Sequence, residues 1–407
     1  MSRIYLDHAA TSPMPAQVLD SYVRALTEVG NPASTHGHGQ SASDRLEAAR
    51  QRIADHLGCD PALVTLTGGG TEAVNLAIKG LYWARQQAAP QRTVLLIAEG
   101  EHHATLEAAE WLRDNQGAQV RWLPIDAQGV LRPDTLRQAI AEVGHEHIAL
   151  VSFLWANNEV GTVQPIGELA TVANEAGVPV HVDAIAALGQ IPIDFANLGI
   201  AALSVSAHKI GGPVSVGALL MSRTAQLEPL FHGGSQQRAR SGTQDVAGAV
   251  AFAAALDLVY GEQFEQHIRH LRTLRDKLVA GVFEAVPGAR LRGPHVRLND
   301  DPLTDGTDAA DQVERLPGNA HFTFEGCQGD SLVFLLDTEG ISASVGSACT
   351  AGVAEVSHVL LAMGIPEDVA RGSLRFTLSS DTTEADIDAL LAVLPAAVTR
   401  ARAAGLS

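Results

Sequence analysis

An amine, a carboxylate, a glycine-rich turn and a thiol are spaced along this chain in a way that could do covalent chemistry. Lys209 is one of only three lysines against 25 arginines, and it alone follows an apolar β-type run, "LSVSA"; Lys79 and Lys277 fall in helical patterns. A partly buried lysine can lose its proton and bond covalently to an aldehyde. Asp183 ends the run "VPVHV", 209 − 183 = 26 residues earlier. Taken alone it would serve as a helix cap. In "TLTGGGTEAVNLAIKG" glycines and a threonine open an amphipathic helix. Backbone N–H groups at a helix start attract phosphate, and glycine permits close approach. A carboxylate for a ring nitrogen, a lysine for an aldehyde and a phosphate cradle are the parts that pyridoxal phosphate chemistry requires. The thiol is Cys349 in "SVGSACTAG", flanked by residues too small to pack it, which suggests a segment that bends or moves.

These groups need a scaffold that delivers strand ends to one edge. Between about residues 60 and 225, the runs "TVLLIA", "VRWLPI", "HIALVSFLWA", "VPVHVDA", "LSVSA" and "GALLMS" alternate with helical stretches such as "ATLEAAEWLRDNQ" and "IGELATVANEAG". That alternation predicts crossover units, an α/β fold with a mostly parallel sheet flanked by helices, and ligands at the carboxyl ends of the strands. Three strand ends are polar there: Asn157, Asn158 and Glu159; Asp183; His208 and Lys209. After residue 260 a long helical pattern, the strand-like "HFTFEG", the helix-like "DSLVFLLDTEG" and a terminal helix predict a smaller α+β domain. The expected division is a large domain over 15–260 and a small one formed by 1–14 with 261–407. The stretch "RLNDDPLTDGTDAADQVERLPG", rich in Asp, Gly and Pro, reads as a surface loop or partly mobile insertion.

Composition narrows the classes. The chain has 407 residues, with 46 acidic against 28 basic side chains and a net charge of −18, which repels phosphate backbones and anionic lipid surfaces. Direct nucleic-acid binding is not expected. No apolar run approaches the roughly 18 residues of a membrane span, and "MSRIYLDHAATSP" has no signal-peptide core, so a cytoplasmic protein is expected. Cys59, Cys327 and Cys349 are odd in number and widely separated, so they read as free thiols rather than a disulfide framework or zinc ribbon. The histidine pairs His36/His38, His102/His103 and His145/His147 lack further ligands at metal-binding spacing, so no metal is expected.

Ten stretches in order, "YLDHAATSP", "NPASTHG", "GGGTEAVNLAIKG", "EHHA", "ANNEVGTVQPI", "HVDA", "SAHKIGGP", "RSGTQDV", "GSACTAG" and "SLRFTLSSDTTEADID", span essentially the whole chain. Together they resemble the cysteine desulfurases of the class V, fold-type I pyridoxal-phosphate-dependent aminotransferase group. That resemblance implies conversion of L-cysteine to L-alanine by a homodimer in the cytoplasm. Sulfur would pass to an acceptor such as an iron–sulfur scaffold or a tRNA-thiolation enzyme.

By the same resemblance, His102 stacks on the cofactor ring, Asp183 pairs with its nitrogen, and Lys209 carries it covalently. Gly70, Thr71, Ser206 and His208 match phosphate contacts, and Thr243 matches one contributed by the second subunit. Asn158 and Arg375 match positions that hold the substrate carboxylate, and Cys349 matches the mobile nucleophile. Cys59 and Cys327 lack that context and read as structural. Two departures stand out. Ala186 occupies the position where the family usually places a glutamine that donates to the cofactor's phenolic oxygen, and alanine has no such donor. The run "GGSQQRARSGT" is shortened where related chains carry a glycine and an acidic residue before the arginine. A related class V enzyme such as a selenocysteine lyase, or a cofactor-binding partner subunit without turnover, are the alternatives. "GSACTAG" weighs against enzymes that need no thiol, and Ala186 alone favours the inactive subunit.

Overall fold

The computed structural model describes residues 3–296, 313–346, 349–350 and 353–405. A seven-stranded sheet carries the strand order Val64–Thr67, Gly217–Met221, Ala202–Ser206, Val180–Asp183, Ile148–Leu154, Val94–Ala98, Gln119–Leu123. Its neighbours from Ala202–Ser206 to Gln119–Leu123 are parallel, as the alternating sequence pattern predicts. Gly217–Met221 runs against both of its neighbours. The reason is the connection of residues 207–216, which is shorter than the dozen or so residues that a parallel crossover needs. That short connection holds Lys209.

Burial follows position in the sheet. Every residue of Ile148–Leu154 is buried, as a strand covered by helices on both faces requires. The edge strand Gln119–Leu123 instead alternates exposed and half-buried residues up to Leu123, which is buried. At the opposite edge, the Gln237 side chain pairs with the Leu66 backbone, accepting from its N–H at 3.0 Å and donating to its carbonyl at 2.7 Å. That amide occupies backbone groups that an edge strand would otherwise leave open.

A separate buried cluster gathers Leu6 with Leu271, Leu278, Phe322, Phe376, Leu390 and Val398. It packs on an antiparallel sheet in the order Ser373–Thr377, Asn319–Phe324, Ala289–Arg292. Ile4–Tyr5 pairs in parallel with Ile341–Ser342, which brings the start of the chain to this second core. Of the Asp-rich insertion, residues 297–312 lie outside the described residues. Its last part is built into the protein: Arg315 is buried and donates to the carbonyls of Pro294 and Val160 at 3.0 and 2.8 Å. Among the described residues, no helix is long and apolar enough to cross a membrane.

Candidate active site

The strand ends converge on a cavity of about 360 Å³. Gly70, Thr71, His102, Asn158, Asp183, Ser206, His208, Lys209 and Arg375 all line it, so most of the residues singled out from the sequence meet there. Lys209 sits in a single turn, His208–Ile210, directly after its strand, and Gly211 at φ +80° ends that turn. Asp183 is the last residue of its own strand and lies beside Ser204 in register. One of its oxygens accepts the Ile185 N–H at 2.9 Å, so the turn-capping reading and the cavity-facing reading both apply.

Burial sets the protonation balance. It pushes the Asp183 carboxyl up to about 6, against the lowering influence of the Ile185 N–H and Lys209. It pulls the Lys209 amine down to about 8; Asp183 and Asp7 oppose that shift, and Arg375 adds to it. His102 is lowered to about 4, first by burial and then by Lys209, so its ring is neutral near pH 7. Its Nδ1 accepts the Ala104 N–H at 3.1 Å and caps the helix His103–Gln116, fixing the ring at the cavity wall.

A wall suited to an anion is built by the start of the Gly70–Ala88 helix. Gly69 precedes it at φ +113°, a conformation that favours glycine. A Cβ at Gly70 would overlap Ile185 Cδ1 and lie 3.1 Å from Ser206 Cβ, so the backbone can approach this wall only without a side chain. Ser206 Oγ is buried with no hydrogen-bond partner among the described residues. An orphaned hydroxyl beside a helix start suits a phosphate oxygen. His208 Nδ1 lies 3.3 Å from Thr11 Oγ1, which ties the N-terminal segment to the same rim.

Arg375 lines the same cavity and is 4% exposed. Its Nη2 donates to Asp7 Oδ1 at 2.7 Å, its Nη1 to the Asn158 carbonyl at 2.8 Å, and its Nε has no partner among the described residues. The guanidinium is thus held at a fixed angle with a buried donor still open, which fits recognition of a carboxylate. One residue singled out from the sequence lies elsewhere, and one is not placed. Thr243 lines a separate small cavity with Gln237 and Arg240. Cys349 is described only as part of a two-residue ladder with Ala354, and neighbouring residues 347–348 and 351–352 of the segment read as mobile lie outside the described residues.

Sequence reading overlooked several residues at this site. Asp7 is the ion-pair partner of Arg375 across 368 positions, a pairing that no local pattern could disclose. Glu101, one residue before His102, is 2% exposed, and burial holds its carboxyl well above the usual range. His358 also lines the cavity, with Nε2 2.8 Å from the Glu101 carbonyl. Ala186 lines both this cavity and an adjoining one of about 550 Å³.

The aminotransferase class-V family matches residues 4–390. An IscS-like cysteine desulfurase of Mycobacterium tuberculosis is 50% identical over 404 residues, covering 99% of this chain and 98% of that protein. Among solved structures, a NifS-like protein superposes with a TM-score of 0.85 at 30% identity, over 98% of this chain and 100% of its own. A structure described as SspA in complex with cysteine superposes with a TM-score of 0.76 at 29% identity, over 93% and 100%. The chain belongs to the class V aminotransferase family and has its fold-type I architecture.

Proposed function

We propose that this protein is a cysteine desulfurase that uses pyridoxal 5′-phosphate and parks sulfur as a persulfide on Cys349. The observation that carries the reading is the single cavity that joins the Lys209 amine, the buried Asp183 carboxyl, the orphaned Ser206 hydroxyl and the Arg375 guanidinium. Relatives named as cysteine desulfurases over nearly their whole length support the substrate. When bound, the cofactor supplies an aldehyde carbon for an amine and an electron-withdrawing ring beside the substrate's α-carbon.

The chain's own groups do the rest. The Gly70 helix start, Thr71, Ser206 and His208 would hold the phosphate, His102 would lie against the ring, and Asp183 would accept a hydrogen bond from the ring N–H and so keep that nitrogen protonated. Arg375 and Asn158 orient the substrate carboxylate. Lys209, its amine lowered to about 8, would be the residue that holds the cofactor's aldehyde and that accepts the substrate's α-proton. The Cys349 thiolate attacks the substrate sulfur: the S–S bond forms as the C–S bond breaks, the electron pair leaves with carbon, and carbon takes a proton to depart as alanine. The other cysteines are poor candidates. Burial, with Asp60 and Asp55, pushes the Cys59 thiol up to about 12, and burial raises Cys327 as well.

A homodimer is part of this reading, with Thr243 serving the partner's phosphate. The first helix, Ala16–Leu26, supports it by exposing Leu19, Val23 and Leu26 at helical spacing, an apolar stripe that a second copy could cover. The reading also keeps the domain division at 260, which the two separate cores support, and a cytoplasmic setting with a thiol-bearing acceptor protein. Incubation of the cofactor-loaded protein with L-cysteine and a reductant tests the activity. Alanine and sulfide should appear in equal amounts; cofactor binding without either product would point to the inactive subunit.

A further inference from the structure

One end of the segment that carries Cys349 is hydrogen-bonded to a buried carboxyl group, and the other end turns close beside it. Glu159, next to Asn158, is 2% exposed. Its Oε2 accepts the Ser357 hydroxyl at 2.5 Å. The same hydroxyl oxygen accepts the Leu360 N–H at 3.1 Å and so caps the helix His358–Ala362. On the other side, Gly346 turns at φ +90°, and a Cβ built there would lie 3.5 Å from that same Oε2 and 3.2 Å from His321 Nε2.

The surroundings make Glu159 a fixed post rather than a follower. Its N–H donates to Asn157 Oδ1 at 2.9 Å, and its carbonyl accepts from Asn319 Nδ2 at 3.0 Å. Just before the Gly346 turn, Ser344 is bound to the Arg375 backbone, accepting its N–H at 2.6 Å. Arg375 in turn donates to the Asn158 carbonyl. One dipeptide therefore faces two ways: Asn158 toward the substrate-carboxylate site, Glu159 toward both anchors of the nucleophile segment. A carboxyl group buried only to fill space would be costly, because desolvation penalises it and an apolar side chain of similar volume would pack without that cost.

We propose that Glu159 is a positioning residue that sets both anchors of the Cys349 segment, Ser357 and the Gly346 turn, relative to bound substrate. This rests on the reading of Cys349 as the sulfur-accepting thiol. Glu159 lines the same cavity, but its carboxylate is engaged by the Ser357 hydroxyl, so its loss should weigh on sulfur transfer more than on substrate binding.

The test uses cofactor-loaded Glu159→Ala and Glu159→Gln proteins mixed with L-cysteine. Two signals are followed: the change in cofactor absorbance, which reports substrate binding, and the +32 Da mass of one added sulfur on the Cys349 peptide, which reports transfer (the mass of one sulfur atom, about 32 Da). Glu159→Ala should keep the absorbance midpoint within about twofold of wild type and form persulfide about tenfold more slowly, the scale of one lost hydrogen bond to a charged or buried partner. Glu159→Gln retains an oxygen that accepts from Ser357 and should recover to within about threefold of wild type. Should Glu159→Ala fail to fold, Ser357→Ala carries the same test, with Ser357→Thr restoring the hydroxyl and the rate. Wild-type persulfide rates in Glu159→Ala, or equal loss of absorbance response and transfer in both Glu159 variants, overturn the proposal. Absence of the mass shift in wild type overturns the Cys349 reading itself, and the proposal with it.

Discussion

At the scale of single residues, the Lys209 amine decides how the site is loaded. Desolvation disfavours its charged form and brings it to about 8, well below an ordinary lysine. Only the neutral amine attacks an aldehyde, and its fraction grows as pH rises. Attachment of pyridoxal phosphate to cofactor-free protein should therefore accelerate with pH and level off above a midpoint near 8. Absorbance-monitored loading across pH checks this; a midpoint near the ~10.4 of a free lysine would show that the amine is solvated. Lys209 was legible in the sequence because it is the one lysine of three that ends a β run. Arg375 was found only through family likeness, since one of 25 arginines carries no mark of its own. Glu101 and Asp7 escaped because their importance comes from burial and from a partner distant in sequence.

At the scale of elements, the start of the Gly70–Ala88 helix is the most constrained piece of backbone in the site. A Gly70→Ala Cβ would press on the flexible end of Ile185, which can move, and on Ser206, whose strand cannot. Overpacking at such a place costs about 1–3 kcal/mol, and the low end applies here because Ile185 can swing aside. The expected outcome is a modest loss of thermal stability and a much larger loss of pyridoxal phosphate affinity, at least about tenfold, or about 1.4 kcal/mol. Gly167→Ala is the control: it lies in the helix Ile166–Glu175 with nothing within 4 Å of a new Cβ, and should leave binding unchanged. Equal affinities for the two variants would mean that the helix start does not hold the phosphate. The strands themselves were readable from runs apolar on both faces. The reversal of Gly217–Met221 does not show in composition, because a fully buried strand reads the same in either direction; its one signal in the sequence is the short connection of residues 207–216.

At the scale of the whole molecule, the cavity lies where the large sheet, with the buried clusters packed on it, meets a second core that ties Leu6 to the last helix. Arg375 comes from the second and Lys209 from the first, so the site exists only where the two pack together. In the proposed homodimer, Thr243 would extend the same logic to a second copy. A mixed dimer of Lys209→Ala and Thr243→Ala subunits should regain activity that each homodimer lacks, because one of its two sites keeps both Lys209 and the partner-supplied threonine. No recovery in the mixed dimer would assign Thr243 to its own subunit. Quaternary sharing of this kind cannot be read from periodicity, which reports only which face is buried. The account as a whole rests on where the sulfur goes. Mass spectrometry of the cofactor-loaded protein after a single exposure to L-cysteine, without reductant, should find one added sulfur on the peptide containing Cys349, and none in Cys349→Ala protein that still shows the cofactor's absorbance response to cysteine. Added sulfur on Cys59 or Cys327 instead, or undiminished sulfide production by Cys349→Ala, would contradict it.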